Sequence, residues 1–186
     1  MIKVIAFDLI GVLSYEKDIK LSTEEQKLER LFGPNISNEE YLKQASNILK
    51  EKSPIMLITK NIINKLYYTK NKYIFTKLNK AYPNIKLIIA TNHISYIKEY
   101  INKSFDTTYL DDIIVSADIN AIKPNKDFYK YILNKYKIKP EDLLFLDDNI
   151  KNIESANSLG INTIKVDKNT NIYKVIKEVI IWENYT

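Results

Sequence analysis

The sequence predicts an α/β protein, a doubly wound, Rossmann-like parallel sheet of about five strands carrying an inserted all-helical segment. Three observations predict it. Five short apolar runs recur along the chain: Val4–Phe7 before Asp8, Leu87–Ala90 before Thr91, Ile113–Val115 before Ser116, Leu143–Leu146 before Asp147, and Ile161–Val166. Such near-continuous apolar runs are what strands buried on both faces of a parallel sheet require. Helical periodicity lies between the later runs, the alternation expected of strand–helix–strand units. Between the first and second runs, helical spacing continues for far longer than one crossover needs.

The first run places Asp8 where backbone pairing should stop, and Gly11 frees the chain to turn away from the sheet. A polar stretch, Ser14 to Asp18, leads into the insertion. Ser22 with Glu25 forms a capping box opening a helix with Leu28, Leu31 and Phe32 on one face, stopped by Gly33-Pro34. Ser37 with Glu40 repeats the signal before Tyr41, Leu42, Ala45, Ile48 and Leu49. Ser53-Pro54 marks the next boundary, and Ile58, Ile62, Ile63 and Leu66 continue at helical spacing to about Tyr68. Residues 15–70 therefore read as an all-helical cap, with 1–14 and 71–186 forming the α/β core.

Within that core, Ile74, Phe75, Leu78 and Tyr82 mark a helix ending at Pro83. Ile94, Ile97 and Ile101 mark the next, then Phe128, Ile132 and Leu133, then Ile153, Ala156 and Leu159 stopped by Gly160. A last helix carries Ile172, Val175, Ile176 and Val179. In open parallel sheets chemistry gathers at the carboxyl ends of the strands, near the point where strand order reverses. Asp8, Thr91, Asn92, Ser116, Asp147 and Asp148 all fall there.

Composition narrows the function. There is no cysteine and only one histidine, His93, so thiolate and His-rich metal sites are excluded and any metal must be held by oxygen. A chain of 186 residues can bury a sizeable core without staples. No stretch approaches the roughly 20 apolar residues of a membrane span, so the expected setting is the cytoplasm and no membrane partner is expected. The net charge of +5 comes from dispersed lysines with Arg30 as the only arginine, which argues against a nucleic-acid partner.

Each candidate site residue has a structural reading of its own. Thr91 could cap the following helix, Lys123 before Pro124 could be a solvated loop lysine, and Asp147-Asp148 could be an N-cap pair. Their joint order is more informative. Phe7-Asp8-Leu9-Ile10-Gly11-Val12-Leu13, Ile89-Ala90-Thr91-Asn92, Ile122-Lys123-Pro124, and Leu146-Asp147-Asp148-Asn149 continuing through Asn152 to Leu159-Gly160 resemble the four motifs of the haloacid-dehalogenase-like hydrolase superfamily. The resemblance covers the chain outside the helical insertion.

That resemblance implies a magnesium-dependent phosphatase acting on a small phosphorylated metabolite. Asp8 would attack phosphorus to form an aspartyl-phosphate. Asp8 and Asp148 would ligate magnesium, Asp147 would do so through water, and the backbone carbonyl of Ile10 would complete the set. Thr91 and Asn92 would bind the substrate. Lys123 would both contact substrate and balance charge as the phosphoryl group transfers. Asn152 would orient Lys123 or the metal carboxylates, and the family pattern gives His93 no fixed role.

One position departs from the pattern. Phosphatases of the superfamily usually carry a second Asp two residues after the nucleophile, and here that residue is Ile10. Isoleucine moves no proton, so ordinary ester hydrolysis should be slow; such proton transfer is worth about 10² to 10⁴ in rate. Two alternatives follow: a catalytically weak or inactive binding or regulatory protein, and a phosphonate or haloacid hydrolase. The retained Asp147-Asp148 pair argues against the metal-free haloacid branch.

Overall fold

A computed structural model describes residues 1–49 and 54–183. The expected boundary residue Ser53 lies outside them. In chain order, β1 (Val4–Phe7) is followed by β2 (Ser14–Glu16), α1 (Thr23–Glu29), α2 (Asn38–Leu49), α3 (Ile55–Leu66) and β3 (Tyr67–Thr69). The core then continues as α4 (Ile74–Ala81), β4 (Lys86–Thr91), α5 (Ile97–Ser104), β5 (Asp112–Val115), α6 (Ser116–Ile119), α7 (Lys126–Tyr136), β6 (Leu143–Asp147), α8 (Ile150–Asn157), β7 (Asn162–Lys165) and α9 (Ile172–Glu183). A 3₁₀ turn at Pro140–Asp142 leads into β6.

Five strands form a parallel sheet in the order β5-β4-β1-β6-β7. β1 is therefore central, flanked by β4 and β6, and the strand order reverses beside it. Asp8 follows β1 directly, at the site where a doubly wound sheet opens a crevice.

The pleat divides the core in two. Ile5 and Phe7 of β1, with Leu87, Ile89, Leu144 and Leu146, belong to a cluster containing Phe75 of α4, Ile97 and Ile101 of α5 and Ile176 of α9. The alternate residues Val4 and Ala6, with Ile88, Ala90 and Phe145, join Phe128, Tyr129 and Ile132 of α7 and Ile153 and Ala156 of α8. Both faces are covered, as the apolar runs predicted. Burying each such large side chain contributes about 1.5–3 kcal/mol.

The insertion differs from the all-helical reading. Its ends form a two-stranded antiparallel ribbon, with Ser14 opposite Thr69, Tyr15 opposite Tyr68 and Glu16 opposite Tyr67. Residues 67–69 are β-favouring Tyr-Tyr-Thr, and the helical spacing that ran up to Leu66 does not distinguish them from one more turn. The Ser22 capping box is present in full. At α2, the Glu40 N–H donates to Ser37 Oγ at 3.1 Å.

Leu28, Tyr41, Ala45, Ile62 and Ile63 of the insertion are buried in the same cluster as the β1 face, so its apolar interior is continuous with the core. Polar ties reinforce this. Asn38 at the start of α2 donates to Ser95 Oγ at 2.6 Å and accepts from the Ser95 N–H at 3.0 Å, while Lys60 of α3 pairs with Glu99 of α5 at 2.5 Å. Among the described residues no helix is long and apolar enough to cross a membrane.

Candidate active site

The register of β1 against β6 decides the centre of the site. Phe7 lies opposite Leu146, and the Asp8 N–H donates to the Leu146 carbonyl at 2.8 Å, so Asp8 and Asp147 come next on the two strands. Both follow the pleat onto the face lined by Phe145 and Phe128. Two carboxylates so placed need a cation, and Lys123 supplies it.

Lys123 Nζ lies 2.9 Å from Asp8 Oδ1 and 2.7 Å from Asp147 Oδ2, with its side chain only 1% exposed. Its ammonium also stands 5.2 Å from the Phe145 ring centroid and 5.9 Å from that of Phe128. Burial works against the lysine's charge, but the Asp8 and Asp147 carboxylates outweigh it and hold its pKa above the usual value. Lys123 is thus a fixed cation between two acids, and the solvated-loop reading fails.

Asn92 holds the lysine's backbone in place. Its Nδ2 donates to the Lys123 carbonyl at 2.9 Å, and its Oδ1 accepts from the Lys123 N–H at 2.9 Å. The carboxamide that the resemblance assigned to substrate is therefore engaged in positioning Lys123. Sequence spacing could not show this, because the two residues are 31 positions apart. Thr91 ends β4, buried, two residues beyond the β1 register pair of Phe7 with Ile89.

Asp147 is fully buried and saturated with donors. Oδ1 accepts from the Asn149 N–H at 2.8 Å and from Asn152 Nδ2 at 3.0 Å; Oδ2 accepts from Lys123 and, also at 3.0 Å, from Asn152. Asn152 orients the carboxylate as its position suggested. The N-cap of α8 falls to Asn149, whose side chain accepts from the Lys151 N–H, so Asp147 and Asp148 are not the cap. Tyr129 was not legible as part of this group, yet its hydroxyl donates to the Asn152 carbonyl at 2.9 Å and fixes the start of α8 from below.

Asp8 is less fully occupied than Asp147. Lys123 and the Leu9 N–H, at 2.8 Å, both address Oδ1, and Oδ2 has no protein hydrogen bond among the described residues. Burial pushes the Asp8 pKa up to about 6; repulsion from Asp147 adds to the rise and Lys123 opposes it. Asp148, more exposed, is also shifted upward, by partial burial and by the charge of Asp147.

Asp8, Asp147 and Asp148 each bring a carboxylate oxygen to within 4.8 Å of the others. An all-oxygen donor set of this charge suits a hard divalent cation such as magnesium. One cation among three acids leaves the cluster net negative; the upward shifts of Asp8 and Asp148 come first from burial, and repulsion from Asp147 adds to them.

Gly11 shapes the rim. It has φ +90°, and a β-carbon there would lie 2.3 Å from Asp148 Oδ2. Only glycine combines that backbone with room for the carboxylate. Ile10 beside it is half-buried and packs against the β1-face cluster. His93 stands apart from the acids: buried, its ring lies 5.1 Å from Phe32 and 6.0 Å from Tyr67, its Nδ1 meets the Ile94 carbonyl at 3.1 Å, and its Nε2 is without a partner.

Comparison with known sequences agrees with this geometry. The sequence profile of the haloacid dehalogenase-like hydrolases matches residues 5–166. The chain belongs to this family. Its structure is similar to that of a predicted HAD-like hydrolase from Porphyromonas gingivalis, with TM-score 0.76 and 23% identity over 97% of this chain and 98% of that one. It is also similar to a HAD family enzyme from Bacteroides thetaiotaomicron determined in complex with magnesium and inorganic phosphate, with TM-score 0.72 and 16% identity over 94% of this chain and 99% of the other. At these identities the likeness is one of fold. A glyceraldehyde 3-phosphate phosphatase from Methanocaldococcus jannaschii is 33% identical over 61 residues, 32% of this chain. The matches span between 6% and 27% of the lengths of the curated relatives. Asp8, Thr91, Lys123 and the pair Asp147-Asp148 all lie within the matched residues.

Proposed function

We propose that this HAD-like protein is a magnesium-dependent phosphohydrolase of a small phosphorylated metabolite, with Asp8 as nucleophile. The observation that carries the reading is the single open oxygen of Asp8, held beside a buried lysine and a three-carboxylate cluster. The magnesium–phosphate complex of the Bacteroides relative and the phosphatase activity named for the archaeal relative support it.

Asp8 Oδ2 forms a bond to phosphorus as the ester P–O bond breaks, giving an aspartyl-phosphate and a leaving oxygen that takes its proton from solvent water. Water then attacks phosphorus, the bond to Asp8 breaks, and the carboxylate is restored. Lys123 keeps Asp8 Oδ1 fixed and sets a permanent positive charge beside the transferring group. Asp147 fixes Lys123, and Asn152 fixes Asp147. Magnesium held by Asp8, Asp148 and the Ile10 carbonyl, with Asp147 through water, would offset the negative charge of substrate phosphate and carboxylates. Thr91 would hydrogen-bond a phosphoryl oxygen. The insertion over residues 15–70 would act as the cap that excludes water and selects substrate.

Ile10 leaves this scheme without the usual side-chain proton carrier. Substrates whose leaving group needs no protonation, such as acyl phosphates, fit that site best. A second reading, a protein that binds a phosphorylated ligand without turnover, draws on the same isoleucine, whose side chain is engaged in core packing.

Phosphate release from a panel of phosphate esters and acyl phosphates, with and without magnesium, tests the choice. Magnesium-dependent turnover abolished by Asp8→Asn is the expected result. Magnesium-dependent binding with no turnover of any substrate would favour the binding protein.

A further inference from the structure

Away from the acidic cluster the chain carries a concave feature of opposite charge. Two adjoining cavities, of about 190 and 650 Å³, share Asn71, Asn171 and Tyr173 and so form one groove. It runs from Val12 and Leu13, just after the Asp8 loop, along the ribbon end of the insertion to the far end of α4. Lys70 and Lys168 line the first cavity and Lys77 and Lys80 the second, with no aspartate or glutamate among the lining residues of either.

The lysines come from three elements that only the fold brings together. Lys70 follows β3, Lys77 and Lys80 are successive outward residues of α4, and Lys168 lies between β7 and α9. Lys70 Nζ sits 4.1 Å above the Tyr15 ring and donates to the Lys168 carbonyl at 3.1 Å, which ties the two inner segments side by side. Among the described residues none of the four is in a salt bridge with a carboxylate, whereas lysines elsewhere on the surface, such as Lys60, Lys65 and Lys98, are paired. Four lysines without a salt bridge around one hollow favour anions, although the Asp148 and Asp167 charges reach Tyr15 in its wall, and a concave surface focuses the field further.

We propose that this groove is a binding site, separate from the Asp8 centre, for a small polyanion bearing two or more phosphate groups. The volume is that of a small-molecule site. The lysines are divided between the two adjoining cavities, two in each, so the charge is distributed along the groove and not gathered at one point. Amide and hydroxyl groups of Asn71, Asn171 and Tyr173 supply the neutral polar contacts where the two cavities meet. The Asp8, Asp147, Asp148 and Lys123 side chains line neither cavity, so occupancy does not depend on the hydrolytic reading.

The test uses inorganic tripolyphosphate as probe, titrated calorimetrically into the full chain with EDTA present to keep the acidic centre metal-free. Binding is expected, weakened about tenfold or more by replacing Lys70, Lys77, Lys80 and Lys168 together with glutamine, and little changed by the same replacement of Lys27, Lys126, Lys130 and Lys177, which alters net charge equally. In the unmodified protein the amide resonances of Asn71, Asn171 and Tyr173 should shift on titration while those of Asp148 and Asn149 stay in place, a measurement that decides the matter even if the fourfold variant fails to fold. No binding, equal weakening in both variants, or shifts confined to the Asp8 loop overturns the proposal.

Discussion

Gly11 and Asp148 interlock: the glycine has φ +90°, and the space its missing β-carbon leaves is filled by the Asp148 carboxylate, whose Oδ2 would otherwise be 2.3 Å away. The loop that leaves the nucleophile strand and the loop that leaves β6 thus touch at one point. Gly11→Ala should displace Asp148 and strain the backbone, costing about 1–3 kcal/mol of stability. Calorimetric titration should show weaker magnesium binding, with urea unfolding reporting the stability loss; an alanine variant with unchanged magnesium affinity would contradict the contact.

Lys123 faces Asp8 and Asp147 in a nearly dry setting. Removing a partner from such a group leaves charge buried without compensation, so Lys123→Met should destabilise by about 3–5 kcal/mol. In the proposed mechanism Lys123 also balances charge at Asp8, so phosphate release should fall with it. A variant that keeps its unfolding midpoint would show the lysine to be dispensable for folding.

Asn152 satisfies both oxygens of Asp147. Asn152→Leu removes the one amide nitrogen that donates to both oxygens of a buried carboxylate and should cost about 1–3 kcal/mol. Asn152→Asp should be worse than leucine, since it adds a further acid beside Asp147 with no new cation. Denaturant unfolding of the pair checks the order.

His93 gives the protein an acid limit. Burial lowers its pKa from 6.5 to about 4, so between those values the unfolded chain binds more protons than the folded one. Stability from this residue is intact above the unfolded pKa and declines as pH falls toward 4, by an amount on the order of 3 kcal/mol. With its Nε2 unpartnered and its ring against Phe32 and Tyr67, His93→Phe should flatten that part of the stability–pH curve. Chemical denaturation of both proteins across this range measures it; parallel curves would rule it out.

Ile10→Asp restores a proton carrier two residues after Asp8. Hydrolysis of ordinary phosphate esters should rise by about 10² to 10⁴. The half-buried isoleucine also packs against the core, so some stability should be lost with it. Unchanged ester turnover in a folded variant would show that proton transfer at this position is not what limits the rate.

How much of this was legible in the sequence follows from the range of the signals. The apolar runs ending at Asp8, Thr91 and Asp147 are local, and they determined the strands, their parallel arrangement and the family motifs, because burial on both faces forces a continuous apolar pattern. Capping at Ser22 was equally local. Tyr67–Thr69 was not: whether those residues extend a helix or pair as a strand depends on Ser14–Glu16, a partner more than fifty positions away. Separation along the chain, by 31, 23 and 98 positions, also hid the Asn92 clamp on Lys123, the Tyr129 support of Asn152 and the meeting of Lys70 with Lys168.

By itself, then, the chain determined that Asp8, Thr91 and Asp147 would sit at strand ends and that Lys123 would precede a proline between helices. Only the tertiary structure decided their roles toward one another. The β1–β6 register set two carboxylates side by side and so demanded a buried cation between them, packing committed Ile10 to the core and sealed His93 among aromatic rings, and convergence of three distant segments produced a basic groove. Local patterns specify where a chain runs straight or turns; charge balance, close approach and burial are properties of pairs, and pairs exist only once the chain has folded.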